Sequence, residues 1–163
     1  MTATHEPKVV ISGRGEDRIR SGHPWIYRTD VADALASGGD TVVVHNPRGR
    51  IVGRALFSDR SQIALRMLTI GEAPAGLDLW RARLAEAIAF RASLGIDATA
   101  FRLVHGEGDL LPSLVVDRYG EHLVVQALSQ GVDRLLPDIV GLLVEQLKPA
   151  GMCRTAVRRA SPS

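Results

Sequence analysis

Thr41-Val42-Val43-Val44-His45-Asn46-Pro47-Arg48-Gly49-Arg50-Ile51-Val52-Gly53-Arg54-Ala55-Leu56-Phe57 is the stretch whose reading decides the fold of the first half of this chain. Thr41 to Val44 is β-branched throughout, and such side chains fit a pleated surface better than a helix. Asn46-Pro47-Arg48-Gly49 supplies turn residues, and Ile51 to Phe57 is a second strand, so the segment reads as a β-hairpin. Downstream, Gln62 to Leu68 alternates apolar and polar at Ile63, Leu65 and Met67, which predicts a further strand. Upstream, Lys8-Val9-Val10-Ile11 is a β-prone start that ends at Gly13 and Gly15. Gly22 and Pro24 break any helix there. Val31 to Leu35 reads as a short helical turn or a strand end. Short strands at this spacing predict a small barrel or sandwich over residues 8–70.

The second half has a different rhythm. Residues 71–77 read as a linker. A helix is expected from about Asp78, as N-cap, to about Leu94, with Gly95 as its C-cap. Trp80, Leu84, Ala87, Ile88 and Arg91 fall on one side of it at helical spacing. Phe101 to Val104, Leu114 to Val116 and Leu123 to Leu128 predict three strands. Asp133 to Leu147 predicts a helix whose Pro137 is acceptable only in its first turn. Met152 to Val157 reads as a last strand, and residues 158–163 as a disordered tail.

A chain of 163 residues that is 45% hydrophobic can bury a real core. Its single cysteine, Cys153, excludes an internal disulfide framework and a cysteine-rich zinc site. The N-terminus has no apolar signal region, and no stretch approaches the roughly 18 apolar residues of a membrane span. No membrane association and a cytoplasmic location are therefore expected. Residues 1–70 carry ten Lys+Arg against seven Asp+Glu, and residues 71–163 carry ten against eleven. The basic first half points weakly to RNA. The bias of eighteen arginines to two lysines has two readings, phosphate and base-edge contact or a GC-rich genome.

Two glycine patterns invite a nucleotide reading. Gly13-Arg14-Gly15 follows a strand, but no third glycine and no helix are predicted after it. Gly106-Glu107-Gly108 leads to another strand. A dinucleotide or adenosylmethionine loop needs strand, glycine turn and helix in that order, so neither pattern predicts a cofactor site. His105, Glu107, Asp109 and Asp117 form a polar cluster that could serve a metal or acid–base chemistry; turn capping is the favoured reading. Cys153 reads as a small buried hydrophobe.

Arg14 to Arg28 is more informative. Arg14, Arg18, Arg20, His23 and Arg28 surround Trp25 and Tyr27, and cations interleaved with aromatics suit phosphates and unpaired bases. Arg48 and Arg50 at the hairpin tip, with Arg54, Arg60 and Arg66, could extend one basic surface. The competing reading places Trp25 and Tyr27 in the core with the arginines on a solvated face, and for Trp25 the core is expected.

Arg18-Ile19-Arg20-Ser21-Gly22-His23-Pro24-Trp25-Ile26-Tyr27 resembles the opening signature of the RlmI-type large-subunit rRNA 5-methylcytosine methyltransferases. A second match runs from Phe101-Arg102-Leu103-Val104-His105-Gly106-Glu107-Gly108-Asp109 through Leu111-Pro112-Ser113-Leu114-Val115-Val116-Asp117-Arg118-Tyr119-Gly120 to Val124-Val125-Gln126. The resemblance covers about residues 8 to 157. It implies an α+β chain: an N-terminal PUA-like small β-barrel over 1–72, a linker and connecting helix over 73–97, and a small central α/β domain over 98–157. Leu110 and Ser113 stand where glycines are usual, which implies an ordinary backbone or strain there.

In that family a Rossmann-like domain follows and uses S-adenosylmethionine. Its cofactor loop and catalytic cysteine have no counterparts here, so no catalytic, cofactor-binding or metal-binding residue is carried over. The expected function is RNA binding as the front part of a truncated rRNA methyltransferase, inactive alone, with Arg14, Arg18, Arg20, His23, Arg28, Arg48, Arg50, Arg60 and Arg66 as RNA-binding candidates. The alternative is a stand-alone RNA-binding adaptor, and enzymatic activity stays open. Expected partners are RNA, with rRNA foremost, and either a separate methyltransferase domain or a second copy of the chain.

Overall fold

The computed structural model describes residues 6–156, so the tail expected over 158–163 lies outside the described residues. The chain divides into two units, Met1–Gly76 and Leu77–Ser163.

The first unit runs β1 (Lys8–Ile11), α1 (Gly13–Arg20), β2 (Trp25–Tyr27), a 3-10 turn (Arg28–Asp30), β3 (Val31–Leu35), β4 (Thr41–His45), β5 (Ile51–Phe57) and β6 (Ile63–Ile70). Its strands form one sheet in the order β2-β6-β5-β4-β1-β3. The predicted hairpin is β4–β5, in register from Thr41 opposite Leu56 to His45 opposite Ile51. Neighbours are antiparallel except β1 and β4. Register shifts at Val10/Ile11, Ile26/Tyr27, Val44/His45 and Arg54/Ala55 increase local twist and curl the sheet into a half-barrel. Val9, Ile11, Ile26, Val42, Val44 and Phe57 fill the concave side. Residues 31–35 resolve as strand, not helical turn.

The helix α1 corrects the sequence reading. Gly13 and Gly15 are poor helix formers and hide it, yet Ser12 caps it by accepting a hydrogen bond from the Gly15 N–H. Packing supplies the rest. Ile19 is the α1 residue that enters the core. A Cβ at Gly15 would sit 3.2 Å from Ile11 Cβ and 3.4 Å from Asp30 Cβ, so glycine lets the helix lie close to β1 and the 3-10 turn. Trp25 is also corrected: it and Tyr27 are half-buried, and Ile26 between them is the core residue, because successive strand side chains alternate faces.

The second unit runs α2 (Leu77–Ser93), β7 (Ala100–His105), a 3-10 turn (Gly106–Asp109), β8 (Leu114–Tyr119), β9 (His122–Ala127), α3 (Gln130–Leu147) and β10 (Gly151–Ala156). The sheet order is β10-β9-β8-β7, with β10 parallel to β9 and the other pairs antiparallel. The helices α2 and α3 pack on each other and on β7 and β9. Leu114, Val116, Leu123, Val125 and Ala127 share one buried face of the sheet. Trp80, Leu84 and Ala87 are the buried stripe of α2.

In this unit one expectation fails for a local reason, and one left open is decided. Pro137 lies in the interior of α3, since Ser129 caps the helix earlier than predicted by accepting from the Val132 N–H. The proline is exposed, so the helix tolerates it without a clash in the core. Leu110 and Ser113 both take the left-handed conformation, at φ 57° and 63°. The strain option therefore holds at the two positions where the resemblance expects glycine.

Candidate nucleic-acid interface

The close seat of α1 puts Arg14 and Arg18, one helical turn apart, over Asp30. The Asp30 side chain is 0% exposed and accepts from Arg14 Nε at 2.5 Å and Arg18 Nε at 3.1 Å. A carboxylate so buried is tolerable only when paired and hydrogen-bonded. Arg14 also donates to Thr29 Oγ1 at 3.3 Å. The Arg18 guanidinium carbon lies 4.9 Å from the centroid of the Tyr27 ring, a cation–π arrangement.

His23 links this group to Trp25. Its Nδ1 accepts from the Trp25 N–H at 3.2 Å. Its ring meets Trp25 edge-on at 5.9 Å and Tyr27 tilted at 6.3 Å. Across the ladder from Trp25 stands Arg66. Arg14, Arg18, His23, Trp25, Tyr27 and Arg66 thus form one neighbourhood on α1, the turn after it, β2 and β6.

The hairpin tip is tied to the same helix. Glu16 accepts from Arg20 at 2.7 Å and from Asn46 Nδ2 at 3.1 Å. Asn46 Oδ1 in turn accepts the Arg48 and Arg50 backbone N–H groups, both at 3.0 Å, and holds the turn. Arg48 and Arg50 are exposed. Their guanidinium groups bond to none of the described residues.

Other candidates have internal work. Arg28 donates to the Ser58 carbonyl at 2.7 Å and to the Ser61 carbonyl at 2.8 and 3.1 Å, pinning the loop before β6. Arg54 donates to the Glu72 and Ala73 carbonyls, both at 2.9 Å. Arg60 is exposed beside Asp59 at 3.8 Å, and Arg66 donates to the Ile63 carbonyl at 3.3 Å. Sequence reasoning missed Asp30 and Glu16. Their roles become visible only once α1 is a helix that sets Arg14 and Arg18 over Asp30 and Glu16 beside Arg20 and Asn46.

In the second unit the polar cluster is spent on structure. Asp109 accepts a bidentate pair from Arg91 at 2.5 and 2.8 Å and the His105 N–H at 2.6 Å. Burial opposes ionisation of Asp109, but the bonds from Arg91 and the His105 N–H outweigh it and hold the carboxyl below its usual range. Asp117 is paired with Arg102 at 2.8 Å. Among the described residues no group of three or more His, Cys, Asp or Glu could hold a metal. Cys153 is exposed, against the buried expectation.

Residues 9–70 match a family described as a PUA-like domain. The chain is 40% identical over 129 residues to a ribosomal RNA large subunit methyltransferase of Deinococcus radiodurans, covering 73% of this chain and 31% of that protein. It is 38% identical over 136 residues to the ribosomal RNA large subunit methyltransferase I of Shewanella amazonensis, covering 80% and 34%. With the enzyme of that name from Klebsiella pneumoniae the identity is 32% over 151 residues, covering 88% and 37%. The chain therefore spans about a third of the length of these relatives. A solved structure titled as a SAM-dependent methyltransferase from Streptococcus mutans shares the fold at TM-score 0.80 and 15% identity, over 91% of this chain and 40% of that one. Among the described residues no helix is long and apolar enough to cross a membrane.

Proposed function

The chain belongs to the RlmI-type family of large-subunit rRNA methyltransferases, and from that premise we propose that its PUA-like unit grips ribosomal RNA for a cytosine methyltransferase. The observation that carries this reading is the α1–hairpin surface. On one side of α1, Arg14 and Arg18 are held by Asp30, with Arg18 over Tyr27; on the other, Arg20 pairs with Glu16, which ties the helix to Asn46 of the hairpin that carries Arg48 and Arg50. Guanidinium forks meet phosphates, and aromatic faces meet unpaired bases.

The described residues do not fit S-adenosylmethionine. A strand, Gly13-Arg14-Gly15 and a helix do follow one another, contrary to the sequence reading. However, Ser12 Oγ takes the Gly15 N–H, Asp30 crowds the turn, and Gly15 is there for packing. Gly106-Glu107-Gly108 forms a 3-10 turn that leads to a strand, so it presents no helix N-terminus to a ligand. This chain on its own is accordingly expected to bind RNA and to transfer no methyl group.

The test is fluorescence anisotropy of the purified chain with a labelled large-subunit rRNA fragment at rising salt. Affinity should fall steeply, because each neutralised phosphate releases counterions. No binding, or binding indifferent to salt, refutes the reading.

A further inference from the structure

We propose that Asp30 is a positioning residue that makes the α1–β2 surface a stacking slot for an unpaired RNA base. The inference rests on the RNA-binding reading and adds to it the kind of RNA taken.

Asp30 is an expensive way to hold two segments together. A buried ion pair is often matched or exceeded in stability by apolar groups of similar volume. What a buried carboxylate supplies instead is direction. Asp30 takes the Nε edge of both Arg14 and Arg18. The inner face of the Arg18 guanidinium is backed by Tyr27 at 4.9 Å. One edge and one face are thus held, and the side chain is still 36% exposed. The outer plane and the terminal nitrogens are what it offers to a ligand. A fixed planar fork loses little freedom when a base stacks on it.

The surroundings suit one nucleotide. Arg14 is 64% exposed while Asp30 holds its Nε and its Nη2 reaches Thr29 Oγ1 at 3.3 Å, which leaves Nη1 at the rim for a phosphate. His23, held by the Trp25 N–H, stands beside Tyr27 with its ring tilted 50° to it and forms a side wall of the slot. Two guanidiniums around one carboxylate keep an excess positive charge, so the slot still attracts the RNA backbone. Bases inside a duplex are stacked and paired, and the deep groove of A-form RNA is closed to side chains. The slot therefore selects unpaired bases.

The probe is a fluorescein-labelled oligouridylate of roughly ten nucleotides, alone or annealed to oligoadenylate, measured by anisotropy with the full chain. The wild type should bind the single strand at least about fivefold tighter than the duplex, as expected from one stacked base. In Asp30→Asn and Tyr27→Leu the preference should collapse to within about twofold, with duplex binding not weakened because the phosphate-facing cations remain. Circular dichroism checks the fold. If Asp30→Asn unfolds, Arg18→Lys decides, since it keeps the charge and loses the plane; it should lose the preference too. Equal binding of both RNAs by the wild type, or a preference that survives in the folded variants, overturns the slot and leaves the RNA reading standing. Binding of neither RNA sinks the RNA reading itself.

Discussion

Arg28 and the hairpin-tip pair Arg48 and Arg50 are chemically alike and structurally opposite, and replacing them should separate RNA contact from fold maintenance. The guanidinium groups of Arg48 and Arg50 are exposed and bond to none of the described residues. If each meets one phosphate of single-stranded RNA, removing both should lower the slope of log affinity against log salt by about 1.4. Between about 50 and 200 mM salt, that change makes the variant's deficit shrink about sevenfold. Thermal stability should not move, because exposed side chains without partners contribute little. Arg28→Ala should do the reverse. It removes three hydrogen bonds to the Ser58 and Ser61 carbonyls, at a cost of about 2–3 kcal/mol. For a unit of this size that lowers the melting temperature by roughly 10–20 °C. Its salt slope, read below the transition, should match the wild type. The assays are anisotropy titrations over a salt series and thermal melts by circular dichroism. A tip double variant with an unchanged slope would refute the reasoning. So would Arg28→Ala with a lowered slope and an unchanged melt.

Three further outcomes follow from the packing. Gly53→Ala should cost at least about 2–3 kcal/mol in urea unfolding, because its Cβ would lie 2.2 Å from the Thr69 carbonyl oxygen and 2.7 Å from Met67 Cε; a cost below half of that would show that β5 and β6 can move apart. Pro137→Ala should stabilise α3 by about 1–3 kcal/mol, since it restores an N–H in the helix interior at an exposed position; a lower melting temperature would contradict this. Arg91→Ala should destabilise the second unit by about 2–3 kcal/mol at neutral pH. The carboxyl of Asp109 titrates lower in the folded state than in the unfolded one, so its contribution is present above the usual carboxylate range and lost as pH falls through the folded value. The Arg91→Ala penalty should therefore shrink on acidification, and urea titrations showing it constant from neutral to strongly acidic pH would rule out this pairing as its source.

Local pattern was sufficient wherever neighbours in sequence decide the matter. The valine run, the Asn-Pro-Arg-Gly turn and the alternation after Gln62 specify β4, β5 and β6, because β-branching and turn chemistry act within a few residues. The helical stripe of Trp80, Leu84 and Ala87 likewise specifies α2. The cations and aromatics of the candidate surface were also visible as residue types between Arg14 and Tyr27.

Only the tertiary structure decided what those residues do. Two glycines argue against α1 by propensity, and its burial of Ile19 together with the fit of Gly15 against Ile11 and Asp30 overrides them. Whether Trp25 faces the core depends on strand phase, which Ile26 takes by filling the concave side. Which arginines are open to a ligand depends on partners far along the chain: Asp30 for Arg14 and Arg18, Ser58 and Ser61 for Arg28, and none among the described residues for Arg48 and Arg50. Composition supplies charge, but a guanidinium's job is set by whichever acceptor folding brings within about 3 Å of it.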